Sequence, residues 1–212
     1  MMRLRRLPVC LVCSAALLSF ACSSPEQARL KQTTVPTYDK TTGKLTQLTY
    51  DRDKDGIVDT WTDMDGTKPL RSRVDTDGDG RIDRWEYYDD KGAIAKVGFS
   101  RKKDGKEDAW AFSGPDGKLQ RIEISSTGDP KKIDRREYYD ASGLARAEDD
   151  TNGDGKPDKW ETYDAGALAT AAFDENGDGS PDRRLTYTAG RLSLIESAPD
   201  ASGRFSKRVM VK

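Results

Sequence analysis

The chain has 212 residues, and its 36 Lys and Arg nearly balance its 37 Asp and Glu. This balance argues against a nucleic-acid-binding protein, which usually carries an excess of basic residues. The chain has no histidine, and its only cysteines are Cys10, Cys13 and Cys22. These counts exclude Ser-His-Asp, Cys-His and zinc-thiolate chemistry. They leave open an enzyme that uses an Asp/Glu pair or a Ser-Lys pair.

Residues 1–21 have the pattern of a secretory signal peptide. Arg3, Arg5 and Arg6 precede an uncharged and mostly apolar stretch from Leu7 to Phe20. A helix of that length rises about 21 Å, which is short of the roughly 30 Å hydrocarbon core of a bilayer. We therefore expect export rather than a permanent membrane span.

The run Leu-Ser-Phe-Ala-Cys at residues 18–22 resembles a bacterial lipobox. The resemblance implies that Cys22 is acylated, for example with palmitate, and becomes the mature N-terminus. Ser23 and Ser24 follow instead of Asp, which in such lipoproteins favours the outer membrane, on its periplasmic or surface face. The alternative is ordinary cleavage after Ala21, which would leave one free thiol in an exported protein. The predicted organisation is a signal peptide (1–21), an acylated Cys with a polar tether (22–37) and a folded domain (38–212).

The predicted domain repeats one Asp- and Gly-rich pattern about six times. The residues at position 6 of the pattern are 24 or 25 residues apart, and a decayed seventh copy is centred on Gly203. All four tryptophans stand at position 11 of a copy. The position-6 residues are Gly56, Gly80, Gly105, Pro130, Gly155 and Gly179.

Each loop is followed by a Tyr-rich stretch, a Gly-containing turn and a second short stretch. The second stretches open on an aliphatic residue: Leu45, Leu70, Ile94, Leu119, Leu144, Leu168 and Leu192. Stretches of this length with turn signals between them predict strands. The period is too short for one propeller blade per repeat, and hairpin turns argue against a parallel β-helix. We predict an all-β fold of tandem 24–25-residue β-hairpin repeats forming an elongated twisted antiparallel sheet with calcium-type loops. The hairpins resemble the Tyr-Asp and MORN-type repeats of bacterial surface proteins.

The loops follow the pattern D-x-[DN]-x-D-G with an acid at position 9. Oxygen ligands at this density suit calcium, whereas magnesium keeps more of its water. The loops resemble those of EF-hands and, more closely, of thrombospondin type-3 repeats. The resemblance implies a Ca²⁺ cofactor with the following ligands: Asp51, Asp53, Asp55 and Asp59; Asp75, Asp77, Asp79, Asp83 and Glu86; Asp150, Asn152, Asp154, Asp158 and Glu161; Asp174, Asn176, Asp178 and Asp182.

Two of these four copies lack the acid at position 12, where Thr62 and Leu185 stand. The third copy has Lys102 at position 3 among other cations that could replace the charge of a metal, and the fourth has Pro130. We expect both to be empty. Because no helices flank the loops, structural binding is expected rather than a conformational switch. The alternative is a set of solvated Asp/Gly turns without metal.

The residues at position 11 form an aromatic and basic series. It either packs over the base of the loops or binds a glycan or a partner protein. We predict a calcium-stabilised surface lipoprotein with a structural, scaffolding or adhesive role, whose partner is an envelope protein or a polysaccharide. The alternatives are a component of an outer-membrane assembly or motility complex, and a glycan-acting enzyme with an Asp/Glu pair. Because the repeat accounts for nearly all clustered acids, we do not expect an enzyme.

Overall fold

The fold is all-β. A computed structural model describes residues 33–211, which form fifteen strands in a single antiparallel sheet whose spatial order follows the chain. The strands are β1 (Thr34–Tyr38), β2 (Leu45–Tyr50), β3 (Thr60–Asp65), β4 (Lys68–Val74), β5 (Arg84–Tyr88), β6 (Ile94–Phe99), β7 (Ala109–Ser113), β8 (Leu119–Ile124), β9 (Arg135–Asp140), β10 (Gly143–Asp149), β11 (Lys159–Asp164), β12 (Ala167–Phe173), β13 (Arg183–Thr188), β14 (Arg191–Pro199) and β15 (Phe205–Met210). The predicted sheet of tandem hairpins is confirmed.

The connections separate into two kinds at the two ends of the strands. Short turns join β1 to β2, β3 to β4 and each later pair at one end, the turn end of the sheet. The opposite end, the loop end, carries the long loops. These are loops 1 to 6, residues 51–59, 75–83, 100–108, 125–134, 150–158 and 174–182. Loop 4 has one extra residue, so its position 9 is residue 134. The turn between β14 and β15 also lies at the loop end, where the sequence predicts a decayed copy around Gly203.

Each of the seven hairpins contains a register shift close to its turn. In the β5–β6 hairpin, Tyr88 pairs with Ile94 and Tyr87 with Lys96, so that Ala95 is the extra residue. In the β3–β4 hairpin, Met64 pairs with Pro69, and the extra residue is Leu70. Pro69 therefore holds the position that Ile94 holds in the β5–β6 hairpin. The alignment of Leu70 with the other aliphatic residues is wrong by one position, because Leu70 is the bulge residue. Bulges of this kind increase the local twist of a sheet.

Strand pairing aligns residues of neighbouring strands into rows that run across the sheet, and successive rows lie on opposite faces. One face, the Trp face, carries the row in which Trp61 pairs with Arg73 and Trp85 with both Arg73 and Gly98. The other face, the Tyr face, carries the row in which Ser72 pairs with Glu86, since side chains alternate along a strand. A one-residue shift of register would exchange the two sets.

The interior of this sheet consists mainly of small residues. The buried hydrophobic residues are Trp85, Ala109, Trp110, Ala147 and Ala171. On the Tyr face, Ala147 lies between Glu137 and Glu161 on the neighbouring strands. With no second layer among residues 33–211, long side chains on the same face cover these small ones with their aliphatic stems.

The first strand begins at Thr34, within the segment 22–37 that the sequence assigns to the tether, and it pairs with β2 along its length. The predicted signal peptide and Cys22 lie outside the described residues. Among residues 33–211, no helix has the length and apolar character needed to cross a membrane.

Candidate metal centre

Each long loop is closed by the backbone at both of its ends. The N–H of position 9 donates to the carbonyl of the residue before position 1, as in Asp83 to Val74 at 2.9 Å. The same bond occurs in all six loops. The loop ends are therefore held together like the ends of a hairpin, independently of any ion.

The aspartate at position 9 caps the start of its own loop. Its carboxylate accepts the N–H of position 2 in every loop, for example from Thr76 to Asp83 at 2.8 Å and from Arg101 to Asp108 at 2.8 Å. The other four pairs are Arg52 with Asp59, Ser126 with Asp134, Thr151 with Asp158 and Glu175 with Asp182. The side-chain and backbone hydrogen bonds from Thr76 hold the pKa of Asp83 below its usual value. This role of position 9 was missed at the sequence level. The signal was its aspartate in loops 3 and 4, where positions 1 and 3 carry no acid.

The aspartate at position 1 binds the N–H groups that point into the loop. Asp75 accepts from Gly78 and Gly80, both at 2.8 Å. The same two bonds form at Asp51, Asp150 and Asp174. Burial alone would raise the pKa of Asp174, but four backbone N–H groups outweigh it and lower that pKa. The acids are thus oriented by the loop before any metal arrives.

Three carboxylates converge in loop 1 and three in loop 2. One oxygen each from Asp75, Asp77 and Asp83 lies within 4.8 Å of the others, and the residues at the same positions of loop 1 do the same. Such a group fits a hard divalent cation that prefers oxygen ligands. In the first loop the residues are Asp51, Asp53 and Asp59.

Loops 5 and 6 have the same shape with an amide at position 3. Asn152 Oδ1 accepts the N–H of Asp154 at 2.8 Å, and Asn176 Oδ1 accepts that of Asp178 at 2.8 Å. Each of these loops therefore offers an amide oxygen and two carboxylates, at positions 1 and 9, where loops 1 and 2 offer three carboxylates.

The aspartates at position 5 cap the tips of the loops. Asp79 Oδ1 accepts the N–H of Arg81 at 2.8 Å. The equivalent bonds join Asp55 to Ile57, Asp154 to Lys156 and Asp178 to Ser180. Asp55 and Asp79 are not members of the two converging groups. To be direct metal ligands, as the sequence predicts, Asp55 and Asp79 would each have to turn one carboxylate oxygen toward the converging group of the same loop.

The glutamates at position 12 are not brought to the loops. Glu86 lies on β5 and accepts Arg84 Nε and the Tyr88 hydroxyl, both at 2.9 Å. Glu161 lies on β11 and binds Lys159 Nζ at 2.6 Å and the Tyr163 hydroxyl at 2.8 Å. In an EF-hand a helix returns position 12 to the ion, whereas here a strand rises about 3.4 Å per residue away from it. In the structure both glutamates bind their strand neighbours, and their place in the ligand set stays a prediction.

Position 12 instead belongs to a strand motif in which a basic residue, a glutamate and a tyrosine alternate. Glu137 makes the same contacts with Arg135 and Tyr139, at 2.8 Å each, although loop 4 has no acid at positions 1 and 3. The glutamate therefore accompanies its strand neighbours and not the loop. The spacing [RK]-x-E-x-Y is the sequence signal that identifies it.

Loop 3 keeps the loop conformation without an acid at position 1. Ser100 is buried, and its Oγ accepts the N–H of Asp104 at 3.1 Å. The cations of this loop do not fill their own site as the sequence suggests. Lys103 Nζ lies 2.8 Å from Asp77 in loop 2, and Lys102 donates to the carbonyl of Ser126 in loop 4.

Successive loops are joined by a backbone ladder. The N–H at position 1 of each loop donates to the carbonyl at position 9 of the loop before it. The bond from Asp75 to Asp59 measures 2.9 Å, and that from Asp150 to Asp134 measures 2.8 Å. The other three bonds join Ser100 to Asp83, Ser125 to Asp108 and Asp174 to Asp158. The residue at position 9 thus links two loops. Its carboxylate binds the start of its own loop, and its carbonyl binds the first residue of the next loop.

The tryptophans lie beside the loops on the Trp face. Trp85 and Trp110 are only 8% and 4% exposed. Between them is Gly98, where an added Cβ would lie 2.7 Å from the carboxyl carbon of Glu107. That carboxylate accepts hydrogen bonds from the Tyr87 hydroxyl and the Trp110 indole. These two tryptophans pack against the sheet, as the packing interpretation expects.

The described residues form several shallow depressions, among them three of about 540, 490 and 490 Å³. The first is bordered by Asp178 and Asp182 of loop 6, and the second by Asp150 and Asp154 of loop 5. Their acids belong to loops already described, and the enzyme alternative remains a prediction.

Residues 26–121, which include loops 1 to 3, match the model of a family of unknown function, DUF6802. No curated protein is detectably similar in sequence. Parts of larger solved structures show a distant likeness. The G117R mutant of S. aureus TarM, in complex with Fondaparinux, alpha-GlcNAc-glycerol and UDP, shares 13% identity over 47% of this chain, at a TM-score of 0.35. The accessory secretory protein 1, 2 and 3 structure from Streptococcus pneumoniae shares 14% over 50%, at 0.37. The chain spans 21% and 19% of those two chains.

Proposed function

We propose that this protein is a calcium-stabilised structural protein of the bacterial envelope, in which the metal loops hold a long single-layer sheet together. The observation that carries the proposal is the convergence of three carboxylates in each of two successive loops. The backbone bond from Asp75 to Asp59 joins these two loops directly, so an ion bound in one supports the other.

The chemistry of the loops favours calcium among the common divalent cations. The convergent groups consist of carboxylates, and calcium tolerates the irregular, oxygen-rich shells that such loops form. Strands rather than helices leave each loop. A rigid strand connection has no interhelical angle to change, so the metal stabilises one structure instead of switching between two.

The envelope location is supported by the lipobox-like run that ends at Cys22. A lipid there would attach the sheet to the outer membrane, where it would act as a scaffold or adhesin for an envelope protein or a polysaccharide. Cys22→Ser is expected to release the protein from the membrane fraction or to leave it unprocessed. Unchanged partition with the outer membrane would contradict the lipid anchor.

Thermal denaturation with and without calcium tests the metal proposal. Because the ion binds only the folded loops, stability should rise by about 2.7 kcal/mol for each site at a calcium concentration 100 times its Kd. Asp75→Asn should remove part of this gain. The matched change Asp104→Asn, in loop 3, should leave it intact. Identical melting of the wild-type protein in calcium and in chelator would contradict the proposal.

A further inference from the structure

An ammonium group from loop 3 lies on a metal-ligand position of loop 2. Lys103 Nζ is 2.8 Å from Asp77 Oδ2, and Asp77 is one of the three converging carboxylates of loop 2. The hydrogen bond to Asp77 and the charges of Asp77, Asp83 and Asp79 raise the pKa of Lys103. The ammonium therefore sits within the electrostatic field of the whole acidic group.

The backbone of Lys103 is also held against loop 2. Its carbonyl accepts Arg81 Nη1, from position 7 of loop 2, at 3.2 Å. Its φ is +54°, in the left-handed region that disfavours residues with a Cβ. Four of the six loops place glycine at this position, namely Gly78, Gly128, Gly153 and Gly177. Loops 1 and 3 have a lysine there, Lys54 and Lys103, and the side chain of Lys103 reaches the acids of the neighbouring loop.

Resting on the proposed function, we propose that Lys103 is a built-in competitor of the metal at loop 2. Its ammonium neutralises Asp77 in the metal-free protein and opposes the approach of a divalent cation, so that loop 2 fills at a higher calcium concentration than it would without this lysine. Asp53, which holds the same position in loop 1, forms no ion pair among residues 33–211.

The size of the effect follows from exposure. The side chain of Lys103 is 69% exposed, and that of Asp77 is 37% exposed. Solvent and salt screen such a pair, and exposed ion pairs of this kind change an equilibrium constant by about two- to fivefold. The effect should shrink at high ionic strength.

Amide NMR during a calcium titration of the full chain separates the loops. The amides of Gly78 and Gly80 donate to Asp75 and report on loop 2, and those of Gly153 and Gly155 donate to Asp150 and report on loop 5. Lys103→Gln should move the midpoint of the loop 2 amides to calcium concentrations about two- to fivefold lower. The loop 5 amides should keep their midpoint. Lys106→Gln, which removes the same charge from the same loop, should move neither.

The outcomes distinguish this inference from the proposed function. If calcium shifts no glycine amide in the wild-type protein, the metal proposal fails and the competition fails with it. If calcium shifts the wild-type amides but Lys103→Gln leaves the loop 2 midpoint in place, only the competition is overturned. Equal movement of the loop 2 and loop 5 midpoints, or an equal effect of Lys106→Gln, would also overturn it.

Discussion

The aspartate at position 9 shows how much a single residue contributes to this fold. In loop 3 it is Asp108, which is 5% exposed and accepts the N–H groups of Arg101 and Lys102. Its own carbonyl receives the N–H of Ser125 from the next loop. Because loop 3 has no acid at positions 1 and 3, these contacts exist without any demand from a metal. Position 9 is thus a structural residue in every loop, and a role of its carboxylate as a metal ligand in loops 1, 2, 5 and 6 stays a prediction.

Asp108→Ala should therefore destabilise the protein to the same extent with and without calcium. It removes the buried, charged acceptor of the Arg101 and Lys102 N–H groups, which costs about 1–3 kcal/mol. Urea denaturation in calcium and in chelator measures the loss. Asp104→Ala, at the exposed tip of the same loop, is the control and should cost less. A loss from Asp108→Ala that appears only in calcium would show that the carboxylate serves a metal.

Two tyrosines should weaken the fold at high pH. Burial and the hydrogen bond to Glu107 raise the pKa of Tyr87 to about 12, and burial with the bond to Glu137 raises the pKa of Tyr139 to about 12. A raised pKa means that the folded state holds its proton more tightly, so stability is complete below pH 10 and falls between about pH 10 and 12. Absorbance titration should find both phenols ionising late, and Tyr139→Phe should remove one late step. Ionisation of all eight tyrosines together near pH 10 would contradict this.

Within the elements, ion pairs on the Tyr face connect strands that share little apolar contact. Arg135 on β9 reaches Asp149 on β10 at 2.8 Å and Glu161 on β11 at 3.0 Å. Lys159 joins the same two acids from β11. Three adjacent strands are therefore linked by one network over the buried Ala147. Removing one partner of such a network leaves an uncompensated charge in a poorly hydrated place.

Glu161→Gln tests whether position 12 serves the strands or the metal. The variant should bind as many calcium ions as the wild type and should lose about 1–3 kcal/mol of stability at neutral pH. Burial would raise the pKa of Glu161, but Lys159, Tyr163 and Arg135 together lower it. The wild-type contribution is therefore present above the usual glutamate pKa and is lost as the pH falls through the lower folded value. Calorimetry and acid titration of stability measure both effects, and loss of one calcium site would restore position 12 as a ligand.

These elements show what the sequence can and cannot predict. The period of 24 or 25 residues, with Gly turns and short Tyr-rich stretches, determines the hairpins because no other element fits the space. The sequence predicts Glu86 and Glu161 as metal ligands because an EF-hand has an acid at position 12. Here only positions 1 to 9 belong to the loop, and position 12 lies on a strand. The bulge at Leu70 and the ladder through position 9 were not predicted, because backbone hydrogen bonds leave no distinctive side chain in the sequence.

At the scale of the whole molecule, the sheet is a series of equivalent hairpins in which each contacts only its neighbours. Such arrays unfold locally, and the stability of each repeat depends on its own contacts and on the adjacent interfaces. Loops 3 and 4 are held by serine, position-9 carboxylate and backbone bonds. Loops 1 and 2 each bring three carboxylates together, and loops 5 and 6 carry acids at positions 1, 5 and 9. Without metal, repulsion between these acids therefore acts on both flanks of the sheet and spares its middle.

Chelation should thus loosen the sheet unevenly. Amides in residues 51–90 and 150–190 should exchange faster in chelator, while those around Ile122 and Ile124 on β8 should remain protected longest. Hydrogen exchange with and without calcium measures the difference. Protection that is uniform along the chain and insensitive to calcium would contradict the expected pattern.

The order of the strands has a mechanical consequence. Because β1 and β15 lie at opposite sides of the sheet, tension between them acts across the strands, over roughly 67 Å at about 4.8 Å per strand. A load in this direction breaks the interstrand bonds one pair at a time instead of shearing them together. Each released hairpin would lengthen the chain by about 80 Å, and an ion bound at its loop would set the force at which that hairpin gives way. The sheet would then lengthen under load in discrete steps, and the force needed for each step would depend on the calcium concentration.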